Sequence, residues 1–303
     1  MDTKLFSRKQ PGGFYTVTDR SQFPSGSVFW VNSGTGTNGA GYGRNPDAPL
    51  ATIDYAVGLC TASKGDIIYV MPGHAETVSA AGGLDLDVAG ISVIGLGSGT
   101  LQPTVTLDTA DTADVDIDAA NITVENINFR ANFADIVAAI DVNATDFTIR
   151  KCRFTAAAAN MNALIWILGA SSTTSNRITV EDCLFIDRDA ANTHCISLPG
   201  TSDGCIIRRN VMLCDCGTAA IGAAGVVTNI VVADNYISNA ASDADSGINL
   251  AATATGLVVN NLVGIALAGN ATTGVTAQAC TLIENYVVDT GADRQGVLDP
   301  AAT

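Results

Sequence analysis

Carboxylates dominate the chemically capable side chains of this chain, with 30 Asp plus Glu against 15 Lys plus Arg and two histidines. General acid/base hydrolysis needs two carboxylates facing one groove. The best grouping is Asp187-Arg-Asp189 with His194, then Asp203 and Asp215, and it reads as loop charge between strands. Asp108, Asp111, Asp114, Asp116 and Asp118 offer the oxygens that Ca²⁺ prefers. However, Asp114-Val-Asp-Ile-Asp118 alternates strictly, which sets its carboxylates in a row on the outer face of one strand rather than around a point. His74 lies in a Pro-Gly-His-Ala-Glu turn. Cys214-Asp-Cys216 lacks a second Cys/His pair at metal-finger spacing, so the eight cysteines read as buried thiols. Gly34 to Gly43 lacks the Gly-Lys-Ser/Thr of a phosphate loop and reads as a flexible connection. The expectation is no catalytic residue, no metal and no cofactor.

The elements that must position these groups come from a repeat. Its copies are Ile122-Thr-Val-Glu-Asn-Ile-Asn-Phe129, Phe147-Thr-Ile-Arg-Lys-Cys-Arg-Phe154, Ile178-Thr-Val-Glu-Asp-Cys-Leu-Phe185 and Cys205-Ile-Ile-Arg-Arg-Asn-Val-Met212. Further copies start at Ile230, Leu257 and Cys280, with a weaker one at Ile91, and the mean spacing is 27 residues. Each copy predicts two short strands joined by a tight polar bend. Ile136–Val142, Leu164–Leu168 and Gly247–Leu250 supply a third strand between copies. Three strands make a triangular coil that buries its inner face only by stacking on neighbours about 4.8 Å away. The predicted fold is all-β, a parallel β-helix with three strands per coil. The sixth residue of each copy then stacks in one line: Ile127, Cys152, Cys183, Asn210, Asn235, Leu262 and Asn285. Asn tolerates a left-handed bend and passes amide hydrogen bonds between coils, while Cys acts as a small hydrophobe.

Composition sets limits on function. A formal charge of −15 disfavours binding to nucleic acid or an anionic membrane. No apolar run reaches the roughly 18 residues of a spanning helix. The start, Met1 to Gln10, lacks a secretory apolar core, so the expectation is synthesis in a cytoplasm. Residues 1–27 lack the repeat and carry +2, leaving −17 for the rest. They read as an anchoring arm, with Lys4, Phe6, Arg8, Lys9, Phe14 and Tyr15 as the anchoring residues. A lead-in segment with a capping helix (28–64), the β-helix (65–290) and a C-terminal tail or cap (291–303) complete the expected organisation.

The Asn-containing bend resembles the ladder of right-handed, pectate-lyase-like β-helices. Trp30 to Gly39, Asn45 to Ala56 and Gly65 to Thr77 are similar to the opening of that superfamily, which implies a capping helix at about Thr52 to Cys60 before a first strand at Ile67 to Val70. The superfamily's hydrolases carry Asn-Thr-Asp, Asp-Asp, Gly-His-Gly and Arg-Ile-Lys signatures, and none of the four occurs here. A small β-helix with an arm and no intact cleavage signature resembles accessory structural proteins of tailed bacteriophages. That resemblance implies a capsid decoration (cement) protein on the virion exterior, homotrimeric, with the major capsid protein as partner. The alternatives are a tailspike-type polysaccharide depolymerase and a non-catalytic glycan-binding adhesin.

Overall fold

A computed structural model describes residues 26–171, 175–187, 189–241, 246–266 and 273–289, and backbone strands at Phe6–Lys9, Tyr15–Val17 and Gln295–Leu298. The repeat folds as three long sheets wrapped around one core. The first sheet has ten parallel strands, from Val28–Val31 and Ile67–Val70 to Gly256–Val259 and Thr281–Ile283. The second runs from Ala75–Val78 to Asn285–Val288 and closes with Gln295–Leu298, which pairs antiparallel. The third has eight strands, from Leu84–Asp85 to Val275–Thr276. Each coil visits the three sheets in turn, and inward residues stack on their equivalents one coil away. The sheet begins one strand earlier than the resemblance implied, because Val28–Val31 already pairs with Ile67–Val70.

Alternation explains the burial. In Val115–Ile117 and Ile140–Val142 the outer residues are buried and the middle aspartate is not. Helix Ile53–Val57 covers the end of the core with Ile53, Ala56 and Val57, and Thr52 caps it by accepting from the Tyr55 amide. Among the described residues no helix is long and apolar enough to cross a membrane.

Two positions of the ladder differ from the sequence reading. Asn261 is fully buried in the line, whereas Leu262 is 44% exposed and belongs to the outer face of the second sheet. The left-handed residue of each bend is the one before the ladder residue. It is Asn126, Lys151, Asp182, Arg209, Asp234, Asn260 or Glu284, with φ between 51° and 58°. The ladder asparagines therefore serve as buried amides, and their neighbours make the turn. At and just before the bend, opposite charges meet across coils: Arg150 and Lys151 pair with Glu125, and Arg208 and Arg209 pair with Glu181.

Candidate functional site

The carboxylates grouped in the sequence separate in the fold. Asp187 is buried at the end of strand Leu184–Asp187. Burial pushes its carboxyl up to about 6. Asp189 accepts from the Ala191 and Asn160 amides in the turn between the second and third sheets. His194 opens the next strand, where burial pushes it down to about 4. Asp203 lies past the far end of that third-sheet strand, held below the usual range by hydrogen bonds from Thr228 and Asn229. Asp187 ends a second-sheet strand, whereas Asp203 lies in the short strand Ser202–Asp203 beyond the third sheet.

His74 is a structural bridge. Its Nδ1 accepts from the Ser33 amide at 3.0 Å and its Nε2 meets Glu76 Oε2 at 3.1 Å. Glu76 Oε2 also accepts from the Ile53 amide, so the imidazole ties a loop to the start of the capping helix. The Gly34–Gly43 stretch is likewise tied down: Asn32 Oδ1 accepts from the Gly34 and Thr35 amides, and Asn38 Oδ1 from those of Ala51 and Thr52. A surface pocket of about 320 Å³ lies beside it, lined by Phe29, Tyr42, Arg44, Tyr55 and Leu59. Arg44 stands 4.2 Å over the Phe29 ring there.

The aspartates of the third sheet do assemble, but as a column. Asp85, Asp116 and Asp141 are in register on three successive coils. Asp108 and Asp111 fall outside it: Asp108 is held by the Thr109 amide and Asn132, and Asp111 is exposed. Parallel register fixes backbone separations at about 4.8 Å, so like charges stand directly over one another. Burial, reinforced by Asp114, Asp118, Asp141 and Asp85, pushes Asp116 up to about 6 from 3.8. Asp85, Asp114 and Asp141 are also raised, chiefly by burial. A carboxyl raised to about 6 amid neighbouring carboxyls is the kind of arrangement from which an acid and a base are drawn.

This column makes a stability prediction. A carboxyl raised in the fold contributes fully below its unfolded value and loses that contribution as pH rises through its folded value. Asp116→Asn is therefore expected to melt about 2–4 °C above wild type at pH 7.5 and level with it near pH 4. The shift is worth at most about 3 kcal/mol, and solvent screening reduces it to about 1–2. Thermal melts across that pH range check it; a variant that melts below wild type at pH 7.5 contradicts it.

The second sheet carries a different column. Thr104, Asn128 and Arg153 start it as a polar outer face, but their register partners on later coils are Leu184, Val211, Tyr236, Leu262 and Tyr286. The last four of these are 37–46% exposed, and Val288 is exposed beside them. The adjoining face of the first sheet follows suit, with Thr123, Thr148 and Thr179 giving way to Ile206, Val231 and Leu257.

Seven of the eight cysteines are buried and Cys60 is half-buried, with no disulfide among them. The fold brings Cys195 to the Cys214 and Cys216 pair, a meeting that no spacing in the sequence announces. The anchoring set Lys4, Phe6, Arg8, Lys9, Phe14 and Tyr15 lies outside the residues whose side chains are described.

With this geometry in hand, comparison with known proteins identifies the architecture. The chain is similar to a rhamnogalacturonan lyase with a TM-score of 0.58 at 12% identity, over 88% of this chain and 75% of that one. It is also similar to the pectin methylesterase from Aspergillus niger, with a TM-score of 0.46 at 14% identity over 93% and 94% of the two chains. A third likeness is to the pectate lyase Pel9A, with a TM-score of 0.46 at 11% identity over 91% and 72%. No family model matches the chain, and no curated protein matches it in sequence. The likeness is one of fold: a right-handed parallel β-helix of about eight turns.

Proposed function

We propose that this protein is a self-associating structural protein of a phage virion, a trimeric decoration protein that binds the outside of the head and bridges capsid subunits. The apolar column Val211, Tyr236, Leu262 and Tyr286 carries this reading. Aliphatic and aromatic side chains held in register on a flat sheet face form a ready surface for a second copy, and a contiguous exposed apolar patch marks an interaction site. Three copies with these faces turned to a common axis bury the column and leave the polar half and the arm for the capsid. Binding across capsid joints then raises the free energy of opening them.

Sedimentation equilibrium tests the first half of the reading. Wild type is expected to be a trimer at micromolar concentration, and the Tyr236→Glu/Leu262→Glu variant a folded monomer. Burying a carboxylate in an apolar contact costs several kcal/mol, enough to weaken association by at least about 100-fold. A monomeric wild type would overturn self-association. The second half is tested by deleting residues 1–27, which is expected to abolish head binding with the β-helix intact; full occupancy by the truncated protein refutes the arm's role.

One observation favours a second reading, polysaccharide cleavage. The column Asp85, Asp116 and Asp141 stacks three raised carboxyls in register on successive coils, and a pair of carboxyls facing one substrate is what glycosidases use. Asp187 is buried at the end of a second-sheet strand and is not part of this column. Sugar release from host polysaccharide that disappears in Asp116→Asn supports cleavage, and no release from any host polysaccharide rejects it.

A further inference from the structure

We propose that Cys195, Cys214 and Cys216 form a buried site for one thiophilic divalent cation of the Zn²⁺ class, with the buried carboxylate of Asp187 as a neighbouring charge. The three sulfurs lie within 4.8 Å of one another, and the Cys195–Cys216 edge is 3.9 Å. A tetrahedral centre with metal–sulfur bonds of about 2.3 Å requires sulfurs about 3.8 Å apart. A soft sulfur set without histidine suits Zn²⁺, Cd²⁺ or Co²⁺ over the hard cations.

The three thiols and the neighbouring Asp187 come from two successive coils. Cys195 is in strand His194–Ser197, Asp187 ends the preceding strand of the same coil, Cys214 ends Val211–Cys214, and Cys216 follows in the next turn. Asp187 and Cys214 are direct register partners, and Asn239 is the partner of Cys214 on the coil beyond. The same inward row is aliphatic at Val78, Leu107 and Ala131 before this point and at Ile265 after it. Packing alone would continue Val, Leu or Ile through the row; three consecutive coils instead carry Asp, Cys and Asn.

A second observation points to a cation. Asp187 is 2% exposed and its Oδ2 has no hydrogen-bond partner among the described residues. A buried carboxylate oxygen in that state wants a positive charge. Metal binding expels three thiol protons to solvent and leaves three thiolates on the dication, with the buried carboxylate of Asp187 adding negative charge nearby. Around this set, Asn239 Oδ1 accepts from the Cys216 amide at 2.8 Å and its Nδ2 donates to the Cys216 carbonyl at 2.9 Å, which fixes the turn.

The test uses the full chain, reduced, freed of metal by chelation and refolded with Co²⁺ or Cd²⁺. The expected result is one metal per chain, a thiolate-to-metal charge-transfer band, and for Co²⁺ the intense visible bands of tetrahedral coordination. Cys195→Ser and Cys214→Ser abolish the bands, Asp187→Asn weakens affinity at least about 10-fold, and Cys183→Ser, a ladder thiol elsewhere, leaves them unchanged. Circular dichroism of each variant separates loss of ligand from loss of fold. No charge-transfer band in refolded wild type, bands that survive in Cys214→Ser, or a Cys195–Cys216 disulfide in the reduced, metal-loaded preparation each overturns the proposal.

Discussion

Phe154→Ala is expected to lower the urea midpoint of unfolding by about 1 M, the loss being centred on the middle coils. Phe129, Phe154 and Phe185 are register partners on three successive coils, and all point inward. Phe154 stacks on Phe185 at 4.3 Å and on Phe129 at 5.5 Å, and its edge meets Trp166 at 5.6 Å. Truncating a buried Phe costs about 3–5 kcal/mol, and the lost ring contacts place this site toward the upper end. A urea slope of about 3 kcal/mol/M converts that to the stated shift. A solenoid's coils contact only their neighbours, so hydrogen exchange should accelerate most in the coils bearing Phe129 to Phe185 and little at the ends. Phe154→Leu should lose much less. A midpoint that moves by less than about 0.3 M would mean the ring stack is not what holds the middle of the solenoid.

The stack shows why so much of this fold was legible. Coils that must bury the same inner positions repeat the same side-chain classes, and the repeat was read from residues such as Phe129, Phe154 and Phe185. Misreading began where backbone, not side chain, dictated the residue. Gly256 occupies the register position of Ile230, and a Cβ there would stand 2.0 Å from the Ile230 carbonyl oxygen. A glycine thus hides the start of its copy, and counting from Leu257 put Leu262 in the line that Asn261 occupies. The left-handed bends were equally silent, because Lys151, Arg209 and Glu284 are not residues that advertise positive φ.

Other parts of the site were partly written in the chain. Second-sheet strands from residue 184 onward are apolar at both parities, as in Val211-Met-Leu-Cys214 and Leu262-Val-Gly-Ile265. Such runs belong to strands covered on both faces, which is the signal for the exposed column. The acidic column was visible only as one alternating strand; its neighbours Asp85 and Asp141 are supplied by register across coils. The thiol cluster had no comparable signal, since the irregular turns between strands break any fixed spacing from Cys195 to Cys214.

Asn235→Leu is expected to destabilise the C-terminal half by about 3–5 kcal/mol despite replacing a buried polar side chain with an apolar one of similar size. Asn235 Oδ1 accepts from both the backbone amide and Nδ2 of Asn210, each at 3.0 Å. Its Nδ2 donates to the Ile207 carbonyl at 3.0 Å and to Asn261 Oδ1 at 2.9 Å. Leucine would leave the Asn210 backbone amide without an acceptor and its Nδ2 with the Val180 carbonyl alone, in a site from which water is excluded, at about 1–3 kcal/mol per lost partner. Truncation at Cys152, where the ladder contact is a 3.5 Å approach of the Ile127 amide to sulfur, should cost markedly less. The discriminating readout is exchange of the Asn210 amide proton, which loses its protection in Asn235→Leu and keeps it in Cys152→Ala. The ladder is all asparagine along Asn210, Asn235, Asn261 and Asn285, over the coils whose outer face turns apolar. Amides that pin the bend also pin the register of Val211, Tyr236, Leu262 and Tyr286 on the following strands. On the proposed reading, Asn235→Leu therefore weakens trimer formation as well, at equal protein concentration and without touching the interface. Unchanged association in a destabilised Asn235→Leu variant would uncouple the ladder from the assembling face.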